Sequence, residues 1–255
     1  MKKKWVSNVI LIVLVLVFIA SGLYLFRYFW GARQTENELG ELQQLKNESV
    51  SEEETVKADN GHTIMKEYRK LYKKNNDLIG WVLVKGTKID YPVMQTKEDS
   101  EYYLHRNFKK EQDVNGMPFL DAKCDVEDAN SNLMVYGHHM KSGLMFAHLE
   151  DFENADFYQK HKIIQFDTLY EKREYEVVAV FRSKIYKKEE EVFKYYQYGG
   201  PLSARQYKTY VKNCQKLSVH KTGVEPVYGE QLLTLVTCAY HTEEGRFVVV
   251  ARRKK

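Results

Sequence analysis

The chain has 255 residues, of which 44% are hydrophobic and 13% aromatic, and it carries a formal net charge of +4. This length suits one domain with an appendage, and the composition is that of a packed protein rather than a disordered or fibrous one. Four of the 39 basic residues lie among the first thirty, so the other 35 balance the 35 acidic residues. That neutral remainder argues against a nucleic-acid binder, which needs a basic face.

The amino-terminal segment predicts a membrane anchor. Residues 5–26 form an uncharged, mostly aliphatic run, and about 20 such residues suffice for a helix to cross a bilayer. Three lysines precede the run and Arg27 alone follows closely, so the positive-inside rule places the amino terminus in the cytoplasm and the rest outside. A cleaved signal peptide is the alternative, although its apolar region is typically only about 7–15 residues long. We expect residues 1–30 to be a cytoplasmic tip and a single transmembrane segment.

The segment that follows predicts a polar extracellular stalk. Residues 31–60 are rich in Glu, Gln, Asn and Ser and contain no aromatic residue, so they cannot bury enough apolar surface to fold alone. Leu39, Leu42 and Leu45 allow a short helix, but the composition favours a solvated spacer. The folded domain would then occupy residues 61–255.

Within that domain, an amphipathic helix at residues 64–72 is followed by a pattern of short strands. A second helix is expected at residues 203–217, with Ser203 as a possible amino-terminal cap. Short strands separated by turn signals favour a mainly β protein, a closed or nearly closed eight-stranded β-barrel with peripheral helices. The eight expected strands are residues 78–84, 88–95, 117–120, 132–136, 162–166, 174–181, 231–237 and 247–251.

Three cysteines leave at least one thiol unpaired in an exported chain, and two of them have unreactive surroundings. Cys124 lies among three acidic residues, which raise the pKa of a thiol and make it a poor nucleophile. Cys214 lies on the apolar face of its helix and is expected to be buried. A disulfide between the two remains open at this point.

Cys238 differs because it ends the apolar strand LLTLVTC, and a second strand begins at Arg246 after a short loop. If the two strands form a hairpin, Arg246 faces Cys238 across it. A guanidinium there would lower the thiol pKa and could hold an oxyanion. On these residues alone, an unreactive strand-end cysteine beside a surface arginine is the simpler interpretation.

The histidines offer a candidate base. His138 and His139 follow the strand NLMVY through Gly137, and strand ends are where a rigid scaffold presents catalytic side chains. Four others have polar or charged neighbours and are interpreted as surface residues: His62, His105, His161 and His220.

These motifs together resemble a known family. The sequence TLVTC (residues 234–238), an arginine eight residues after the cysteine, and YGHHM (residues 136–140) are similar to the sortases of Gram-positive bacteria. Three further segments resemble class B sortases in particular: GWVLVKGTKIDYPVMQ (80–95), YYLHRNF (102–108) and NGMPFLD (115–121). The likeness runs over about residues 64–252.

The resemblance implies an eight-stranded closed β-barrel and a cysteine transpeptidase. Cys238 would attack the carbonyl of a threonine in a carboxy-terminal sorting signal, and an amine would resolve the thioacyl intermediate. His138 would donate a proton to the leaving amine and later accept one from the incoming amine. Arg246 would hold the oxyanion, and His139 has no named role.

The resemblance also implies partners and substrate contacts. Tyr136, Leu104 and Thr237 are the candidate substrate-binding residues, the substrate would carry an NPQTN-like sorting motif, and the acceptor would be an amine of a cell-wall peptide or a pilin. No cofactor and no metal are expected. Some class B members have Ser at the position of Val236 and an acid at that of Ala239, so finer substrate contacts need not transfer.

Three alternatives remain open at the level of sequence. The first is a membrane-anchored cysteine hydrolase that passes the acyl group to water. The second is a zinc site formed by His138, His139, Cys238 and His241, although the spacing lacks the usual paired ligand motifs. The third is a non-catalytic surface receptor that merely presents a groove.

Overall fold

The computed structural model describes residues 2–48 and 55–254. The chain forms two compact units, Met1–Glu38 and Leu39–Lys255, and their boundary falls within helix α1 (Lys2–Asn47). Part of the expected stalk, residues 49–54, lies outside the described residues. In the first unit, the helix is long and apolar enough to cross a membrane by length and composition. The apolar run that predicts an anchor is therefore helical.

The second unit is built on one β-sheet that closes on itself. The strands are β1 (Leu78–Leu83), β2 (Asp90–Met94), β3 (Phe119–Leu120), β4 (Ser131–Tyr136), β5 (Ile163–Thr168), β6 (Glu174–Lys184), β8 (Leu232–Cys238) and β9 (Gly245–Arg253), with a short β7 (Gly200–Pro201) beside β4. The strand order is β3-β2-β1-β5-β6-β9-β8-β4, and the pairing of β3 with β4 completes the ring. Within the described residues, the eight-stranded closed β-barrel expected from the sequence is thus confirmed.

The central strands explain why the barrel has a continuous core. Strands β8 and β4 pair in parallel, and both are buried along almost their whole length. Parallel strands covered on both faces read as apolar runs rather than as alternating patterns, which fits LLTLV in β8 and NLMVY in β4. Because the two strands run in the same direction, their carboxyl ends lie side by side.

Helices cover the outside of the barrel. They are α2 (Lys66–Lys74), α3 (Ala155–Lys160) and α4 (Ala204–Leu217), with 3-10 turns at Tyr102–His105, Phe146–Glu153 and Tyr195–Tyr198. The Ser203 cap is confirmed. The Ser203 hydroxyl accepts a hydrogen bond from the backbone N–H of Gln206, and the Gln206 side-chain oxygen accepts one from the backbone N–H of Ser203, which forms a capping box.

The structure differs from the solvated spacer expected at the end of α1. Leu39 and Leu42 are each only 4% exposed. The Gln43 amide donates to the Asp90 carbonyl at 2.9 Å, and the Lys46 ammonium lies 4.4 Å from the centroid of the Trp81 ring. Residues 39–47 therefore pack on the barrel, since their few leucines fall on one helical face.

The two-residue strand β7 was not expected, and its brevity explains why. It consists of Gly200 and Pro201, which are poor strand formers, and it pairs with the first two residues of β4. Gly200 has a φ of +85°, and an added Cβ would lie 2.6 Å from the Lys123 carbonyl oxygen. Glycine is needed here because the backbone approaches closely, which no propensity scale reports.

Candidate active site

One cavity opens where the carboxyl ends of β4 and β8 meet. Its volume is about 620 Å³. All six residues singled out from the sequence line it: Leu104, Tyr136, His138, Thr237, Cys238 and Arg246. They come from the 3-10 turn before β3, from the ends of β4 and β8, and from the start of β9, so the closed sheet brings together residues up to about 140 positions apart in the chain.

Cys238 and Arg246 face each other across the expected hairpin. They lie directly opposite each other in the pairing of β8 with β9. The neighbouring pair on the loop side, Ala239 and Gly245, is hydrogen-bonded, because the Ala239 N–H donates to the Gly245 carbonyl at 3.0 Å. Pairs alternate along an antiparallel ladder, so Cys238 and Arg246 form the closer, non-hydrogen-bonded kind, in which side chains approach each other. Cys238 is half-buried, so its thiol is accessible from the cavity.

The Arg246 guanidinium is held by its own strand and loop. It donates to the Gly245 carbonyl at 2.9 Å and to the Glu244 carboxylate at 3.2 Å. A guanidinium has five N–H donors, so these two bonds leave donors for a substrate oxygen in the cavity.

His138 reaches the cavity because the chain turns away from the sheet at Gly137. The Gly137 N–H donates to the Val236 carbonyl at 3.0 Å, as the last rung between β4 and β8. A Cβ at Gly137 would lie 2.7 Å from the buried Phe146 ring, so only glycine allows this close approach.

The hydrogen bond of His138 defines its reactive nitrogen. Its Nε2 lies 2.8 Å from the Leu104 carbonyl oxygen, and since a carbonyl only accepts, Nε2 carries the proton. In the neutral ring, Nδ1 is then the basic atom. Burial lowers the pKa of His138 below its ordinary 6.5, and the charge of nearby His105 lowers this pKa further, against the raising effect of the Leu104 carbonyl. His138 is therefore a neutral base at neutral pH.

The three candidate substrate contacts differ in their surroundings. Thr237 is 2% exposed, and its hydroxyl has no hydrogen-bond partner among the described residues. Tyr136 stacks on Phe119 with ring centroids 5.6 Å apart, and burial raises the pKa of its hydroxyl. Leu104 is half-buried and contributes its carbonyl to His138 as well as a wall of the cavity. Of these three side chains in the described structure, Thr237 is the one with a buried hydroxyl that lacks a hydrogen-bond partner.

Several cavity residues were not singled out from the sequence. They include Glu101, Asp121, Ile185, Tyr196 and His105. His105 is exposed, as its polar neighbours predicted, but it also stacks against His138 with ring centroids 5.6 Å apart. His105 directly follows Leu104 in YYLHRNF, and this position could have identified it from the sequence as a cavity residue.

The other two thiols are buried away from this chemistry. Burial raises the pKa of Cys124 to about 12, with Asp121 adding a smaller effect, so the expected direction is confirmed but its main cause is burial rather than charge. Burial also raises the pKa of Cys214. All three cysteines are free in the described chain, so Cys124 and Cys214 do not form the disulfide that had remained open.

The zinc alternative has no geometric support. Within residues 2–48 and 55–254, no three His, Cys, Asp or Glu side chains cluster as metal ligands would. His139 instead directs its Nδ1 to the Cys238 carbonyl oxygen, 3.2 Å away.

Known proteins are similar to this chain in sequence and fold. The family model of the sortase domain matches residues 82–254. Sortase B of Staphylococcus aureus (strain NCTC 8325 / PS 47) is 28% identical over 254 residues, covering 99% of this chain and 98% of the relative. Sortase B of Bacillus anthracis in complex with AAEK1 has a TM-score of 0.73 and 30% identity, covering 89% of this chain and 99% of that one. A Staphylococcus aureus sortase B–substrate complex has a TM-score of 0.72 and 29% identity, covering 88% and 98%.

Proposed function

This chain belongs to the sortase family, in class B, and is a cysteine transpeptidase of the cell wall; we propose that Cys238, His138 and Arg246 perform its reaction on a carboxy-terminal sorting signal. The observation that carries this assignment is the shared cavity. It holds a thiol, an imidazole and a guanidinium from three separate strand ends, together with the Thr237 hydroxyl, which has no hydrogen-bond partner in the described part of the chain.

The first half-reaction forms a thioester. The Cys238 sulfur attacks the carbonyl carbon of the substrate threonine while the thiol proton passes to Nδ1 of His138. Arg246 donates hydrogen bonds to the oxyanion of the tetrahedral intermediate. As the carbon–nitrogen bond breaks, the His138 imidazolium gives its proton to the leaving amine. The lowered pKa of His138 supports this order, since the ring starts neutral and gains its proton from the thiol.

The second half-reaction transfers the acyl group. An amine attacks the thioester carbonyl, gives its proton to His138, and expels the Cys238 thiolate, which is then reprotonated. The product is a new amide bond. The proposed acceptor is an amine of a cell-wall peptide or a pilin, and the proposed substrate carries an NPQTN-like motif that contacts Leu104, Tyr136 and Thr237. The Staphylococcus aureus sortase B–substrate complex supports substrate binding by this chain.

The proposed organisation places the enzyme at the cell membrane. Residues 1–30 would form the cytoplasmic tip and the single transmembrane helix, with residues 5–26 in the bilayer. Residues 31–60 would precede an extracellular catalytic domain at 61–255, and within them residues 39–47 pack on the barrel rather than forming a solvated spacer. The long apolar helix supports the membrane span, and the three lysines before the apolar run support the cytoplasmic position of the amino terminus.

The reaction is tested with the full chain in detergent and a peptide that carries the sorting motif. We expect Cys238→Ala to abolish cleavage and Cys214→Ala, a buried thiol remote from the cavity, to retain it. Mass analysis with and without an amine then separates transfer from hydrolysis. Cleavage by Cys238→Ala would point to another catalytic centre, and a lack of cleavage by the unsubstituted chain would support the receptor alternative. Products joined only to water would support the hydrolase.

The anchor is tested by deleting residues 1–30. We expect a soluble protein that still cleaves the peptide, because the second compact unit begins at Leu39. If the shortened chain failed to fold, the apolar segment would belong to the core of the protein.

A further inference from the structure

The nucleophile's backbone is held by a side chain where the sheet ends. In a parallel ladder, each strand contributes a bond at every second residue. The last backbone donor on the β4 side is the N–H of Gly137, just past the end of the strand, which bonds the Val236 carbonyl. Two residues further along each chain, the next acceptor is the Cys238 carbonyl and the corresponding donor would be the backbone N–H of residue 139. Strand β4 has already ended at Tyr136.

The ring of His139 occupies the place of that missing rung. Its Nδ1 lies 3.2 Å from the Cys238 carbonyl oxygen. Since the carbonyl only accepts, Nδ1–H is the donor. The side chain of His139 thus continues the ladder by one bond beyond the point where the backbone leaves the sheet.

The surroundings of His139 keep the ring in this position. The Tyr240 hydroxyl donates to the His139 carbonyl at 3.2 Å, and the two rings lie 5.3 Å apart. A Glu150 carboxylate oxygen also lies 3.9 Å from Nδ1 and is itself paired with Arg182 at 3.4 Å. A carboxylate beside Nδ1 favours the tautomer that carries its proton there. The ring is therefore fixed by contacts from the loop after β8 and from the 3-10 turn at Phe146–Glu153.

We propose that His139 is a positioning residue that holds the backbone of Cys238 for attack through its Nδ1–H bond to the Cys238 carbonyl. This inference rests on the proposed function of Cys238. The nucleophile is the last residue of β8, and on its other side the Ala239 N–H is the next backbone group tied to β9. Without the His139 bond, the carbonyl of Cys238 would lose its partner at the edge of the cavity, and small misplacements of a reacting atom cost up to about 100-fold in rate.

The test compares three substitutions at His139 with His138→Ala. Asn carries an amide nitrogen at the position of Nδ1, Gln carries one at the position of Nε2, and Ala carries none. We expect His139→Ala and His139→Gln to lower kcat about 10- to 100-fold with KM little changed, and His139→Asn to recover most of the loss. The pH profile of the residual activity should match that of the unsubstituted enzyme, because His139 transfers no proton.

Other outcomes overturn the proposal. If His139→Asn is as inactive as His138→Ala, His139 transfers a proton instead. If activity falls only in parallel with the folded fraction measured by circular dichroism, His139 has only a structural role. Full activity of His139→Ala would show that the bond to the Cys238 carbonyl does not affect the reaction. Cleavage by Cys238→Ala would instead remove the proposed function itself, so the two failures are distinguishable.

Discussion

The two ends of β8 handle buried polar groups in opposite ways. Just before its amino end, the Gln231 side-chain oxygen accepts from Arg173 at 2.9 Å and from the Tyr175 hydroxyl at 2.6 Å. Further along, Thr234 donates to the Asn132 side-chain oxygen at 2.8 Å. At the carboxyl end, the Thr237 hydroxyl has no partner among the described residues, and the next residue is Cys238.

The difference in hydrogen bonding assigns the two ends of β8 different roles, one in stability and one in the candidate active site. A buried polar group without a hydrogen bond costs about 1–3 kcal/mol, so the amino end satisfies its groups internally and contributes to stability. At the carboxyl end, Thr237 and Cys238 line a cavity beside the guanidinium of Arg246 on β9. We propose that a bound substrate supplies the partners of these polar groups, and substitutions at the two ends should therefore affect different measurements.

The largest expected effect is on activity, from Arg246→Lys at the carboxyl end. An ammonium cannot reproduce the forked donor geometry of a guanidinium, and loss of one oxyanion donor costs about 100- to 1000-fold in kcat. Arg252→Lys is the matched control: it lies near the other end of β9, where it pairs with Glu176 and Glu230 at 2.9 and 3.1 Å. Steady-state cleavage kinetics should show the loss only for Arg246→Lys, and equal rates for both would remove the oxyanion role.

The next effect is on stability, from Thr234→Val. Thr234 donates to Asn132, so the Tyr210 hydroxyl, 2.7 Å from the Thr234 oxygen, must be the donor to it. Valine would leave both of these buried groups without this partner, and we expect a loss of about 2 kcal/mol in the free energy of unfolding. Urea unfolding should report the loss while kcat stays unchanged. A large fall in kcat would show that the two ends are not independent.

The same substitution at Thr237 should do the reverse. Thr237→Val removes a hydroxyl that has no partner within residues 2–48 and 55–254, so urea unfolding should give a stability equal to or slightly above that of the unsubstituted protein. KM for the peptide should rise by about tenfold or less, since a hydrogen bond contributes about 0.5–1.5 kcal/mol. A clear loss of stability with unchanged KM would reassign Thr237 to the structural end.

The smallest effect concerns pH. A charged His105 disfavours the protonated form of His138 and so lowers its pKa. In His105→Gln this repulsion is absent, the pKa of His138 rises, and the neutral base is lost at a higher pH. The acid limb of kcat/KM should therefore shift to higher pH, whereas His62→Gln, at an exposed pair with Glu127, should leave it in place. A shift to lower pH would exclude this coupling.

Local patterns were sufficient for much of the fold. The apolar runs of β4 and β8, the helical spacing before Leu217 and the Ser203 cap are each encoded within a few neighbouring residues, and each is present in the structure. The short β7 and the packing of residues 39–47 were not predicted, because both depend on a surface supplied by distant parts of the chain.

For the site, the sequence determined which residue types stand at strand ends: the cysteine, the arginine eight positions later and the histidine after a glycine. Only the closed barrel decided that these ends share one cavity, that His105 stacks on His138, and that His139 bonds the Cys238 carbonyl. The physical reason is that motifs record chemistry over a few residues, whereas the distance between residues about a hundred positions apart is set by the pairing of whole strands. Strand order and register are properties of the assembled sheet, so contacts across it had to come from the tertiary structure.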